Sequence, residues 1–409
     1  MTFLHERLGN GLEVIAEQSP AALSTSIGFF VKTGSRDESE DLWGTSHFLE
    51  HMVFKGTTTL SSEEINRRFD AMGASANAFT SEEDTCYYAT VLPEQQDDAL
   101  GLLSQMMRPA LREEDFQTEK KVILEEIRMY DDQPPFGADD RCRAMFFGGH
   151  PLARSVLGTV ESIQALPVEA MRGYHRRRYC PGNIVLAASG AVDFERLVRI
   201  ADDWCGEWEP LDLPRRTVPF NRGSAVQDTV DRIDRPAATL SYAVRMSPAP
   251  PGDDDDRFAA KLLAIILGDD SGSRLYWALV DSGEAEQASL HHHDFLDAGI
   301  FTLQLSCDPE DTGDLLERLP ELLDVRGRRA ITASELDQAR NKLAGRIVLA
   351  GERPRRRLFT VGLEWTHNGD HRSVADDLAI VERLGLDDIE RVLARWPLEA
   401  GGCTVLAGP

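Results

Sequence analysis

The stretch Gly44-Thr45-Ser46-His47-Phe48-Leu49-Glu50-His51-Met52-Val53-Phe54-Lys55-Gly56 decides how this sequence is read. His47 and His51 are four positions apart, so on a helix their imidazoles lie one turn apart on one face and both reach a single metal ion. Glu50 borders that face, where a carboxylate can hold and deprotonate water. Zinc suits imidazole ligands, and a catalytic zinc takes three protein ligands with a fourth position open. The spacing His-x-x-Glu-His inverts the commoner zinc-protease order His-Glu-x-x-His. A solvated helix face could carry the same three residues. Here, however, Phe48, Leu49, Met52 and Val53 make the remaining positions apolar. The His/Glu face is then a buried polar stripe, which needs a reason.

A third ligand is expected from Glu126, in Glu119-Lys120-Lys121-Val122-Ile123-Leu124-Glu125-Glu126-Ile127. Glu119 lies two helical turns before it on the same face and can orient a ligand from behind. Glu125 points about 100° away from Glu126 on a helix.

Outward from the motif, the chain reads as α+β. Phe3–Leu8 and Gly11–Glu17 flank a Gly9-Asn10-Gly11 turn and predict a hairpin. Ser24–Thr33 is apolar enough for a buried strand. Gly73–Phe79 and Asp84–Leu92 predict a strand pair, and 184–189 another strand. Ser61-Ser62-Glu63-Glu64 resembles a capping box opening a helix to about Met72. Further helices are expected over about 95–107, 113–130 and 168–178.

The pattern then restarts. Ala237–Met246 echoes Ser24–Thr33, and Asp256–Gly268 echoes the His47 helix. Ile331–Arg346 echoes Leu111–Glu126, and Gly402–Gly408 echoes Asn183–Gly190. A duplicated unit of about half the chain fits better than a solenoid, whose periods run about 20–50 residues. Each half-repeat is expected to be a mainly antiparallel sheet with helices on one face. The expected domains are 1–212 and 223–409, joined by the proline-rich run Glu209–Arg222. Under this alignment Ala260, Leu263, Ala264 and Arg346 face His47, Glu50, His51 and Glu126, so only the first half can hold the metal.

Composition narrows the function. The 409 residues carry a net charge of −25, which disfavours a nucleic-acid binder. No apolar run is long enough for a membrane span. Six scattered cysteines form no CxxC pair, and the N-terminus lacks the pattern of a secretory signal, so a cytoplasmic setting is expected.

Together these stretches resemble the zinc peptidases of the pitrilysin, insulysin and mitochondrial-processing-peptidase family, and the resemblance runs almost end to end. It covers Asn10-Gly11-Leu12, the His47 motif, Asn77-Ala78-Phe79-Thr80-Ser81 with Glu83, Thr85 and Tyr88, and Glu119–Ile127. It continues through His150-Pro151-Leu152, Ser155–Thr159 and Tyr179-Cys180-Pro181-Gly182-Asn183. The resemblance implies one zinc per chain on His47, His51 and Glu126, with Glu50 as general base and Glu119 supporting. It implies that Asn77, Ala78, Phe79 and Thr80 form an edge strand on which a peptide or unfolded polypeptide adds as an extra strand. A dimer is implied too. One departure stands out: the family's second half carries an Arg and a Tyr that contact substrate, and those places here read Val280 and Gln287, or Glu286 with one gap. His291-His292-His293 follow and could line the cavity, although a solvated strand end is the plainer expectation. The expected function is therefore a zinc endopeptidase, either a homodimer or paired with a homologous chain that carries the Arg/Tyr pair. The alternative is a non-catalytic core subunit.

Overall fold

Residues 1–211, 213, 217, 218, 220, 228–325 and 327–409 are described by a computed structural model. The first sheet has six strands: β1 (Thr2–Arg7), β2 (Glu13–Gln18), β3 (Thr25–Val31), β4 (Ser75–Thr80), β5 (Thr85–Val91) and β6 (Ile184–Gly190). Their spatial order is β1-β2-β6-β3-β5-β4. Every pair is antiparallel except β2 with β6. The second sheet contains β7 (Thr229–Asp234), β8 (Ser241–Ala249), β9 (Gln287–Asp294), β10 (Gly299–Cys307) and β11 (Cys403–Gly408), in the order β7-β11-β8-β10-β9. Only β7 with β11 is parallel. Leaving β1 aside, the two orders match strand for strand, and the parallel pair falls at the same place. The chain is thus an α+β fold built on a repeat.

Strands β3 and β6 are buried along their whole length. This is why Thr25–Val31 reads as a nearly continuous apolar run rather than an alternation. On one face, Ile27, Phe29 and Val31 join Phe48, Leu49, Met52, Leu103 and Met171 of the surrounding helices. On the other face, Ile15, Phe30, Cys86, Tyr88, Val185 and Ala187 pack against Leu358 and Val361. Those two residues belong to the helix Pro354–Asn368, far along the sequence. Gly362 lets this helix sit down on the sheet, because a Cβ there would lie 2.4 Å from the Phe30 ring.

The second sheet receives a helix from the first half in return. Ala138, Cys142, Phe146 and Phe147 of the helix Ala138–Phe147 pack on Val244, Met246, Val405 and Ala407. The packed units are therefore discontinuous. One comprises Met1–Ile127, Arg154–Arg216 and Val348–Ala375, and the other Arg128–Ala153, Thr217–Ile347 and Asp376–Pro409. They differ from the contiguous division 1–212 and 223–409 by these exchanged segments. Each sheet also gains a helix on the face opposite its main helical layer, which the sequence did not signal.

Half of the run Glu209–Arg222 expected as a linker lies outside the described residues. At the expected capping box, Ser61 Oγ accepts from the Glu64 N–H at 3.2 Å, but the Glu64 carboxylate turns to Arg68 instead. No disulfide joins any of the six cysteines, all of which are buried. Among the described residues, no helix is long and apolar enough to cross a membrane.

Candidate metal centre

The helix Thr45–Val53 carries the motif, and its start is fixed by backbone geometry. Gly44 sits in the left-handed region at φ 88°, and a Cβ there would lie 2.7 Å from the Leu157 carbonyl oxygen. The buried carboxylate of Glu38 accepts from the Gly44 N–H at 2.7 Å and the Ser46 N–H at 2.6 Å. It thereby satisfies two helix-start donors that would otherwise be unpaired. Phe48, Leu49, Met52 and Val53 are at most 1% exposed. The helix is thus locked by its apolar side, and His47, Glu50 and His51 present the polar side.

The helix Glu113–Asp132 supplies the partner face. Phe116, Glu119, Ile123 and Ile127 are its buried positions, and Glu126 follows on the same side. His47, His51 and Glu126 each offer one ligand atom, all within 4.8 Å of one another. His47 Nε2 is 3.9 Å from Glu126 Oε1, and His51 Nε2 is 3.7 Å from Glu126 Oε2. Oε2 of Glu126 is buried and has no hydrogen-bond partner among the described residues. A carboxylate with one buried oxygen unpaired, its two oxygens each facing an imidazole nitrogen, fits a divalent cation.

Electrostatics agrees with that donor set. Burial, reinforced by the charge of His51, lowers His47 to about 4, so it is a neutral imidazole with a lone pair to give. Burial opposes charge on His51 too, but the hydrogen bond to Glu119 and the charges of Glu126, Glu119 and Glu50 outweigh it and raise its pKa. Burial raises Glu126 and also Glu50, in the latter case against the Thr80 hydrogen bond and the charge of His51. For Glu119, burial is outweighed by hydrogen bonds from His51 and Lys55, and its pKa falls. Lys55 Nζ reaches Glu119 Oε2 at 2.6 Å. Nothing in the sequence singled out Lys55 as a partner, although it lies four positions after His51, in the turn that follows the helix.

The residues Asn77 to Thr80 lie on β4, the end strand of the sheet. Asn77 is exposed, and its side-chain oxygen accepts from the Ala78 N–H at 2.9 Å. Ala78 packs against the core beneath the helices. Phe79 points to the other face and meets Phe359 edge-on at 5.6 Å. Thr80 faces the motif helix, where its hydroxyl donates to Glu50 Oε2 at 2.6 Å. The sequence placed Thr80 on the strand but gave no sign of this bond.

In the second sheet's unit the equivalent positions hold no donors. Ala260, Leu263 and Ala264 are buried in the helix Arg257–Gly268. Arg346 reaches Asp269 at 2.5 Å, and Lys342 reaches the same carboxylate at 2.8 Å. His291 and His293 are exposed on β9, as a solvated strand end would be, and His292 is half-buried; with Lys261 and Arg346 they border an open groove of about 580 Å³. Val280 is half-buried, and Glu286 and Gln287 are exposed.

A model of the insulinase family, peptidase family M16, matches residues 13–160, and one of the peptidase M16 inactive domain matches 165–343. The chain belongs to the M16 peptidase family. A relative from Mycobacterium tuberculosis, described as an uncharacterized zinc protease, is 32% identical over 98% of this chain and 92% of its own length. The beta subunit of the mitochondrial-processing peptidase of Neurospora crassa is 27% identical over 93% of this chain and 83% of its own. A protease from Helicobacter pylori shares the fold, with a TM-score of 0.91, 22% identity and coverage of 100% and 99%. The M16 match divides the chain as its chemistry does. The donors fall in the first matched region, and the inactive-domain match covers the positions where Ala260, Leu263 and Ala264 replace them.

Proposed function

We propose that this M16 family member is a zinc endopeptidase acting on peptides or unfolded polypeptides. The observation that carries the reading is the convergence of His47, His51 and Glu126 from two helices, with the carboxylate of Glu50 beside them. Zinc, when bound there, supplies a Lewis acid that makes water more acidic and polarises a carbonyl oxygen. The chain's own residues do the rest. Glu119 holds His51 through Nδ1 and leaves Nε2 as the coordinating atom. Glu50 takes a proton from the attacking water while the O–H electron pair stays on oxygen, and returns that proton to the leaving amine. Burial raises its pKa, which makes it the stronger base. The free side of β4 offers an extended peptide a backbone to pair with, which gives affinity with little demand on sequence.

The test measures metal content and cleavage of an unstructured peptide in wild type, His51→Ala and Glu50→Gln. The reading expects about one zinc per chain in wild type, loss of zinc in His51→Ala, and retained zinc with at least about 100-fold slower hydrolysis in Glu50→Gln. A wild type without zinc, or undiminished turnover in Glu50→Gln, would overturn it.

The family resemblance also supports a dimer. With Val280 and Gln287 in place of the Arg and Tyr, we infer that a homologous chain carrying that pair supplies the substrate anchor. Peptide cleavage should be weak with the chain alone and rise on mixing with such a partner. High turnover by the isolated chain, reduced by substituting His291–His293, would favour a homodimer in which those residues have taken over the role.

A further inference from the structure

The bond between Thr80 and Glu50 ties the expected base to the expected substrate strand. Thr80 Oγ1 donates to Glu50 Oε2 at 2.6 Å, a short hydrogen bond of the charge-assisted kind. Oε1 of Glu50 accepts no hydrogen bond from the described residues. The two oxygens of the carboxylate are therefore not equivalent: one is held and one is open.

The strand end that carries Thr80 is pinned by hydrogen bonds. Thr80 pairs with Thr85 across the β4–β5 hairpin. Immediately after it, the Ser81 N–H donates to the Asp84 carbonyl at 2.8 Å, and Ser81 Oγ accepts from the Glu83 and Asp84 N–H groups at 3.2 and 3.0 Å. Thr85 Oγ1 in turn donates to the Thr33 carbonyl at 2.9 Å. A β-branched side chain on such a backbone has few χ1 choices, so its hydroxyl is a fixed donor. A free glutamate side chain samples several rotamers, and a reacting group misplaced by about 1 Å can cost 10²-fold in rate.

We propose that Thr80 is the positioning residue for Glu50, holding Oε2 so that Oε1 is the oxygen that receives the proton. The same residue contributes its backbone to the edge strand, so a peptide paired with β4 is placed relative to Oε1 through a single residue. This rests on the peptidase reading above, and it adds a role for Thr80 distinct from touching substrate.

The experiment compares Thr80→Val, which keeps the shape and removes the hydroxyl, with Thr80→Ser, which keeps the hydroxyl. Zinc content, kcat and KM on an unstructured peptide are measured for each, with Glu50→Gln alongside. Where the chain needs a partner for turnover, the complex is used. The expected result is unchanged zinc and KM in Thr80→Val, kcat lower by about tenfold or more, and recovery to near wild type in Thr80→Ser. An unchanged kcat in Thr80→Val, or a Thr80→Ser variant as slow as the valine one, would overturn the proposal. Crystal structures of wild type and Thr80→Val give a readout independent of activity. The Glu50 carboxylate should be single and bonded in the first, and displaced or split between rotamers in the second. An undisturbed carboxylate in the valine variant overturns the positioning role even if no form of the protein cleaves peptides. Absent turnover in wild type would instead count against the peptidase reading.

Discussion

His51 Nδ1 lies 2.9 Å from Glu119 Oε1, while Nε2 of the same ring faces Glu126 at 3.7 Å. The two glutamates, two turns apart on one helix, thus address opposite ends of one imidazole. Glu119 is 4% exposed and also holds Lys55, so it is fixed from two sides. It can set the tautomer of His51 but lies outside the cluster of potential ligand atoms.

Glu119→Gln should therefore lower zinc affinity by about 10–100-fold while leaving one zinc per chain at saturation. Glu126→Gln should weaken zinc further, because it removes one of three donors. Competition with a chelator ranks the two. The reverse order would show that the two carboxylates have exchanged roles.

Gly44→Ala should destabilise the first sheet's unit by about 1–3 kcal/mol, because alanine is strained at positive φ. The added Cβ also meets Leu157 and Gly158 backbone atoms at 2.7 and 2.9 Å, so the start of the motif helix must shift and zinc affinity should fall with stability. Gly345→Ala is the control. Gly345 lies inside the helix Ala333–Gly351 with nothing within 4 Å of a new Cβ, and alanine should stabilise by about 0.5–1 kcal/mol. Urea unfolding of both variants checks the pair.

Arg357 and Glu17 form a buried ion pair in which Nε and Nη2 each reach a carboxylate oxygen at 2.6 Å. It fastens the helix Pro354–Asn368 to β2. Arg357→Met leaves the Glu17 charge without its main partner and should cost about 3–5 kcal/mol. The double variant Glu17→Met with Arg357→Met should recover most of that loss. A single variant losing under about 1 kcal/mol in urea unfolding would show that the pair does not hold the helix.

Acid should weaken the metal-free protein through buried neutral histidines. Burial, aided by the charge of Arg108, lowers His175 to about 4, and its Nε2 lies 3.0 Å from the Met107 carbonyl oxygen. The unfolded chain takes up that proton near pH 6.5, about the ordinary value for histidine. Between about pH 6.5 and 4 the unfolded state binds more protons than the folded one, so stability falls as pH falls. His47 and His292, also lowered to about 4, act in the same direction. Unfolding free energies measured across this window should slope less in His175→Gln, by up to about 1.4 kcal/mol per pH unit. An unchanged slope would mean that His175 is charged in the folded protein.

Local signals survive in the sequence because they are local. The helix Thr45–Val53 declares itself through apolar positions flanking a polar stripe. The repeat was legible because both halves run through the same strand-forming segments, and the two sheets do match in order. The spacing of His47, Glu50 and His51 is intrinsic to one helix, so their common face follows from 3.6 residues per turn. Glu126 was expected as the third ligand from its place two turns after Glu119 and from the family resemblance, but nothing in the chain between shows by itself that its carboxylate meets those rings.

Tertiary structure alone decided the rest. The sequence could not show that the helix Pro354–Asn368 covers the first sheet or that Ala138–Phe147 covers the second, because burial of a second sheet face depends on which apolar stripe reaches it in space. Nor could it show that Thr80 holds Glu50, that Lys55 and His51 share Glu119, or that Asp269 gathers Lys342 and Arg346. Each is a contact a few ångströms long between elements distant in the chain or on different faces of it. Periodicity fixes which side of an element a residue occupies; only packing of one element on another fixes which atom it meets.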